Sequence, residues 1–209
     1  MTTVTHLRDT TPRTRYDTPP TARYGEHIDA LTMLFRHTAA TDREGREISV
    51  DEALAWVIRE VGEVLDRGGK VMVIGNGGSA AIASHLANDF TRSGGVPGMV
   101  FNDGAGLTCM GNDLGFEQVF AEPIRLHGRG GDLLVAISSS GSSANILNGV
   151  AQARERGCSV VTFSGFARDN PLRASGDMNL FVPSSHYGQV EVTHQMLCHA
   201  LIDFGGRWG

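Results

Sequence analysis

Six residues, Ser138-Ser139-Ser140-Gly141-Ser142-Ser143, follow the apolar stretch Leu133–Ile137 and precede an Ala/Leu-rich segment of helical character. Hydroxyls and backbone N–H groups at a strand-to-helix turn suit an anionic oxygen, because a helix N-terminus carries about half a positive charge. A second turn, Gly75-Asn76-Gly77-Gly78-Ser79, follows Val71–Ile74 in the same way. Two such turns predict a pocket with one anion cradle and a second, more polar wall, and so a small phosphorylated ligand. Serine-rich turns also occur as plain surface loops. One set between two strongly apolar elements and opening a helix favours anion binding.

Further reactive side chains stand at helical spacings. His85 and Asp89 are four apart in the helix that the first glycine turn opens, so they share a face. Glu191, Gln195 and His199 advance by about 40° per step of four, forming one stripe, with His194 to one side. A histidine and a carboxylate on each of two helices have the donor chemistry of a zinc site with room for one substrate oxygen. The same residues also describe solvent-facing pairs on two helix surfaces, and spacing alone does not choose between these readings. Gly75-x-Gly77-x-x-Ala80, with Asp103 after the next expected strand, fits a dinucleotide fingerprint. A dinucleotide fold does not call for the serine turn, however, and no GxxxxGK[ST] is present.

The elements that must hold these groups alternate along the chain. Strands are expected at 70–74, 98–101, 132–137, 158–163 and 178–182. Helices are expected at 79–91, 115–127, 143–156, 169–175 and 188–204, with a shorter turn or helix near 105–110. Short, almost wholly apolar strands separated by helices predict an α/β fold, a doubly wound five-stranded parallel sheet covered on both faces. Both turns then lie at C-terminal strand ends, where such sheets bind ligands. Two helices precede the sheet. The first carries Ile28, Leu31, Leu34 and Phe35; after a polar break at 41–45, the second opens with capping-box residues Ser49 and Glu52. Their apolar stripes serve to cover a core or to form a subunit interface. Residues 1–24 are rich in Thr, Pro and Arg without apolar periodicity and read as a disordered or surface-draped arm; 25–209 reads as one domain.

The chain of 209 residues has a formal net charge of −5, so no basic field invites nucleic acid. Cys109, Cys158 and Cys198 show no CxxC spacing and sit in apolar runs, as buried thiols of a cytoplasmic protein would. No apolar run approaches the ~18 residues of a membrane span, and no apolar signal core stands near the first residue.

Taken together, GNGGSA at 75–80 with His85 and Asp89, TCMGNDLGFEQVF at 108–120, ISSSGSSANIL at 137–147 and VEVTHQMLCHAL at 190–201 resemble the sugar isomerase (SIS) domain family. Within it they are similar to the phosphoheptose isomerases, over roughly residues 50–204. The resemblance implies a flavodoxin-like sheet in a homotetramer with active sites at subunit interfaces. It implies a sugar phosphate held by Ser138, Ser139, Ser140 and Ser143, with Asn76, Gly77, Gly78, Ser79, Asn102, Asp103 and Glu191 lining the sugar. It further implies zinc at His85, Asp89, Glu191 and His199, with Asp89 and His199 as an acid/base pair and Glu191 beside them in the catalytic set. Three positions depart from the family pattern: Asp89 and Glu191 stand where Glu and Gln are usual, and Gly188 stands where Asp is frequent. Non-catalytic SIS regulators of the replication-initiator-associating type share the fold but lack the carboxylate and final histidine, so the presence of Asp89 and His199 favours catalysis. The activity implied is aldose–ketose isomerisation of sedoheptulose 7-phosphate or of a related sugar phosphate.

Overall fold

The strongest local instruction in the chain lies at Ser49. Its hydroxyl accepts from the backbone N–H of Glu52, whose carboxylate accepts from the N–H of Ser49, a closed capping box that starts α2 (Val50–Asp66). The computed structural model describes residues 23–209. The expected arm therefore lies outside the described residues but for its last two, and Tyr24 already opens α1 (Tyr24–His37). Helix α2 buries Ala53, Leu54, Val57, Val61 and Val64 against the sheet. Helix α1 buries only Leu31 and leaves Tyr24, Ile28 and Met33 exposed. Core covering thus falls to α2.

Among the described residues the sheet has seven strands in the order β2-β1-β7-β6-β5-β3-β4, not five. The five expected strands are present as β3 (Val71–Gly75), β4 (Gly98–Val100), β5 (Leu133–Ser138), β6 (Ser159–Ser164) and β7 (Met178–Phe181), all parallel. The additional two form a hairpin, β1 (Ala39–Asp42) and β2 (Glu47–Ile48), with β1 antiparallel to β7. The polar break is the hairpin turn. Asp42 accepts from the N–H groups of Glu44 and Arg46 at 3.0 and 2.9 Å, and Gly45 takes φ 77°. Strands this short and this poor in apolar residues carry almost no periodic signal.

Side chains of the parallel strands alternate between two cores, as pleating requires. Val71, Val73, Leu133, Val135, Ile137, Val161 and Phe163 pack with α2, α3 (Gly78–Asp89) and α7 (Tyr187–Gly205). Met72, Ile74, Leu134, Ala136 and Val160 pack with α5 (Ala121–His127) and α6 (Ala144–Glu155). At the N-terminal strand ends Asp132, fully buried, accepts from Lys70 Nζ at 2.6 Å and from the N–H groups of Lys70 and Arg129 at 3.0 Å, tying β3 to β5.

Three helix expectations need correction. The segment 115–127 is broken: α4 (Gly104–Asp113) ends before it, a 3-10 turn occupies Phe116–Gln118, and α5 follows. Gly115, at φ 90°, makes the break. The segment 169–175 contracts to a 3-10 turn at Pro171–Ala174. Helix α3 stops at Asp89 and passes into a π turn at Phe90–Gly94. Cys158 and Cys198 are buried, and burial pushes the Cys158 thiol up to about 11. Cys109 is exposed, contrary to expectation, because α4 buries none of its residues. Among the described residues no helix is long and apolar enough to cross a membrane.

Candidate active site

The chain leaves β3 for the edge strand β4 and then crosses back to β5, which pairs with β3 on its other side. This reversal opens a crevice at the C-terminal ends of β3 and β5. The first glycine turn closes one side of it. A Cβ at Gly75 would lie 2.5 Å from the Ser79 carbonyl oxygen, and Gly77 takes φ 54° as the N-cap of α3. The serine turn closes the other side, with Gly141 at φ 64° and no room for a side chain against Asn170.

The N-termini of α3 and α6 therefore converge on one cavity of about 230 Å³. Asn76, Gly77, Gly78, Ser79, Ser138, Ser139, Ser140, Ser143, Tyr187 and Glu191 line it. Ser143, the N-cap of α6, makes no side-chain bond to its own helix, and its Oγ stands 3.5 Å from that of Ser138. The Ser139 hydroxyl is buried without a hydrogen-bond partner among the described residues, an arrangement that calls for an explanation in a native fold. Among the described residues no lysine or arginine lines the cavity. An anion there would be held by hydroxyls and by two helix N-termini. A larger cavity of about 920 Å³ lies under the hairpin at the opposite strand ends, but there Asp42 pairs with Arg46 and Asp177 with Arg154.

Asn76 is fixed by a reciprocal amide pair with Asn145, at 2.9 and 2.8 Å. Asn145 and Tyr187 are site residues that motif reading missed. Asn145 stands within the ISSSGSSANIL motif, but its burial and its pairing with Asn76 arise only in the fold. Asn102 and Asp103 do not line the cavity. Asn102 donates to the Ala80 carbonyl and to the Ser84 hydroxyl of α3, and Asp103 caps α4 by accepting from Gly106 N–H at 2.9 Å.

The reactive groups on α3 and α7 separate into two places. His85 Nε2 lies 3.2 Å and His199 Nδ1 3.9 Å from Asp89 Oδ2, and the two imidazole rings are 5.0 Å apart. Ligand atoms of all three fall within 4.8 Å of one another. Two imidazoles and a carboxylate so placed are a fitting donor set for a divalent transition metal. The Gln195 side-chain amide lies 3.0 Å from His199 Nε2, which leaves Nδ1 to face Asp89. Glu191 stands apart from this group. Its carboxylate covers Gly78 so closely that a Cβ there would collide with it. Burial holds the Glu191 carboxyl above the usual carboxylate range. His194 joins neither place. It is fully buried against Phe163 and donates from Nε2 to the Ser164 carbonyl at 3.1 Å, and burial holds its pKa at about 4.

Comparison with known proteins agrees with this geometry. The SIS domain family model matches residues 44–165. The chain is 40% identical over 155 residues to a phosphoheptose isomerase of Rhodospirillum rubrum, covering 71% of this chain and 82% of that one. It is 34% identical over 179 residues to a phosphoheptose isomerase of Burkholderia pseudomallei, covering 81% and 90%. A solved phosphoheptose isomerase from Neisseria gonorrhoeae superposes with a TM-score of 0.75 at 32% identity, over 86% of this chain and 96% of that structure.

Proposed function

The chain belongs to the SIS domain family, and from that premise we propose that it is a phosphoheptose isomerase, converting sedoheptulose 7-phosphate to D-glycero-D-manno-heptose 7-phosphate. One observation carries the reading. Helices α3 and α7 run side by side in the same direction, Gly78 against Glu191 near their starts and Asp89 against His199 further along. The eight residue steps from Glu191 to His199 span about 12 Å of helix axis. A cradle for an anion thus stands at one end of a helix pair and an acid/base group two turns along it. That is the layout required to hold a phosphate at one end of a sugar and react at the other.

Anchoring the phosphate in the Ser138–Ser143 turn fixes the reacting carbons relative to Asp89 and His199. Asp89 and His199, facing each other, serve as the acid/base pair. One of the two removes a proton from C1 of the ketose as the C2 carbonyl oxygen gains one from the other, giving the enediol. Return of a proton to C2 and loss of one from the C1 oxygen complete the aldose, and both side chains regain their starting states. His85, Asp89 and His199 would hold a divalent cation, zinc by family resemblance. Such an ion supplies electrostatic stabilisation to the oxygen on which charge develops. Glu191, lining the cradle over Gly78, is placed to hydrogen-bond the hydroxyls of the sugar.

The same reading treats residues 25–209 as a single SIS domain acting in the cytoplasm as a homotetramer. The exposed Tyr24, Ile28 and Met33 of α1 support an assembly. So does the openness of the reactive group: His85 and His199 are 53% and 48% exposed, and a second subunit over them would exclude water. A coupled assay over ketose phosphates of five to seven carbons, with and without added zinc, tests the proposal. Turnover of the seven-carbon substrate is expected. Binding of the sugar phosphates without turnover of any of them would contradict it.

A further inference from the structure

One wall of the serine cavity is built on a backbone conformation that the chain has to enforce. Phe166, two residues past β6, adopts φ 59°, the one positive φ outside glycine among the described residues. A bulky side chain takes up that region only where its surroundings determine it. Here they do so three times over. His194 Nε2 donates to the Ser164 carbonyl at 3.1 Å, Asn170 Nδ2 to the Gly165 carbonyl at 3.1 Å, and the Phe166 N–H donates to the Ser184 carbonyl at 2.9 Å. Gly165 has no room for a side chain between Val190 and the Ser139 carbonyl.

What this achieves is the placement of a ring. Phe166 meets Tyr187 edge-on, with centroids 4.8 Å apart and ring planes at 72°. Tyr187 is the first residue of α7, four before Glu191, and it lines the cavity beside the serines. It is 41% exposed, and its hydroxyl takes no partner among the described residues. At the next position, Gly188, a Cβ would meet nothing within 4 Å. Among the described residues the cradle has no cationic side chain, so it offers a phosphate hydroxyls and N–H dipoles. A fixed aromatic at its mouth adds what a sugar chain offers: C–H faces to pack on and oxygens to hydrogen-bond.

We propose that Tyr187, braced by Phe166, is a positioning residue for the sugar portion of the bound sugar phosphate, distinct from the serines that hold the phosphate. This rests on the sugar-phosphate reading above. Calorimetric titration of the wild-type protein, Tyr187→Ala, Tyr187→Phe and Phe166→Gly with sedoheptulose 7-phosphate, and separately with inorganic phosphate, tests it. Tyr187→Ala should lose about tenfold or more in affinity for the sugar phosphate, through loss of ring contact and hydroxyl together. Tyr187→Phe should lose less than Tyr187→Ala. Phe166→Gly accepts the positive φ without strain and removes the brace, so it should weaken the same binding while keeping the fold. Affinity for inorganic phosphate should stay within about twofold in all of them, which a variant that merely loosened the fold would not allow. Sugar-phosphate affinity within about twofold of wild type in Tyr187→Ala, or a parallel loss of both affinities, would overturn the proposal. Because binding is read, a wild-type protein that binds the sugar phosphate but never isomerises it would defeat the isomerase reading and leave this test intact.

Discussion

Ser139→Ala should move stability and binding in opposite directions. Its hydroxyl is buried at the cradle with no partner among the described residues, and leaving such a group unsatisfied costs ~1–3 kcal/mol. Replacing the hydroxyl by hydrogen removes that cost at nearly unchanged shape. The ligand-free protein should gain about 1 kcal/mol, or a rise of about 2–4 °C in Tm for a chain of this size. With ligand, rotation about the Cα–Cβ bond turns the hydroxyl toward the phosphate, and a hydrogen bond to a charged group contributes ~1.5–3 kcal/mol. Its loss predicts phosphate binding weaker by about 10- to 150-fold. Thermal unfolding with and without saturating inorganic phosphate reads both effects: the variant melts higher alone and is raised less by phosphate. A variant that melts lower than wild type and keeps the full phosphate-induced shift would refute the reasoning.

Two further predictions concern the frame around the site. Buried His194 has its pKa lowered to about 4 by desolvation, so above its ordinary value it is neutral whether folded or unfolded. Between about pH 6.5 and 4 only the unfolded chain takes up the proton, so stability falls as pH drops, by about 1.4 kcal/mol per unit. Urea unfolding at pH 7.5 and pH 5 should differ by about 2 kcal/mol from this residue, and His194→Gln should flatten that part of the curve; an unchanged slope would contradict it. Asp132→Ala strands the Lys70 ammonium and two backbone N–H groups. It should cost about 3–5 kcal/mol in denaturant unfolding, and a loss below about 1 kcal/mol would mean that the tie between β3 and β5 does little.

The cradle was legible because its chemistry is contiguous: glycines that only a tight turn needs and serines that only a helix start explains stand next to one another in the chain. The His85, Asp89 and His199 group was legible in outline, since four-residue spacing puts side chains on one face. Glu191 shows the limit of that argument. A stripe fixes angular position but not height, and Glu191 lies two turns from His199, over Gly78 instead of beside the histidines. Asn102 and Asp103 were assigned through the resemblance, yet their side chains are occupied in holding α3 and capping α4. The hairpin escaped notice because Ala39-Ala40-Thr41-Asp42 has neither bulk nor alternation to mark a strand. The Phe166–Tyr187 pair is tertiary in origin, joining residues 21 positions apart through a backbone twist that no local pattern encodes.

Proton exchange at the reacting carbon tests the isomerase reading most directly. Purified protein supplied with a divalent metal is incubated with sedoheptulose 7-phosphate in deuterated water, and the products are followed by NMR. Wild-type protein should yield an aldose 7-phosphate with deuterium at C2. Asp89→Asn and His199→Ala should yield neither product nor exchange while still binding inorganic phosphate at the distant serine cradle. Absence of both product and exchange in the wild-type protein, or undiminished turnover without His199, would contradict the assignment of this site as an isomerase centre.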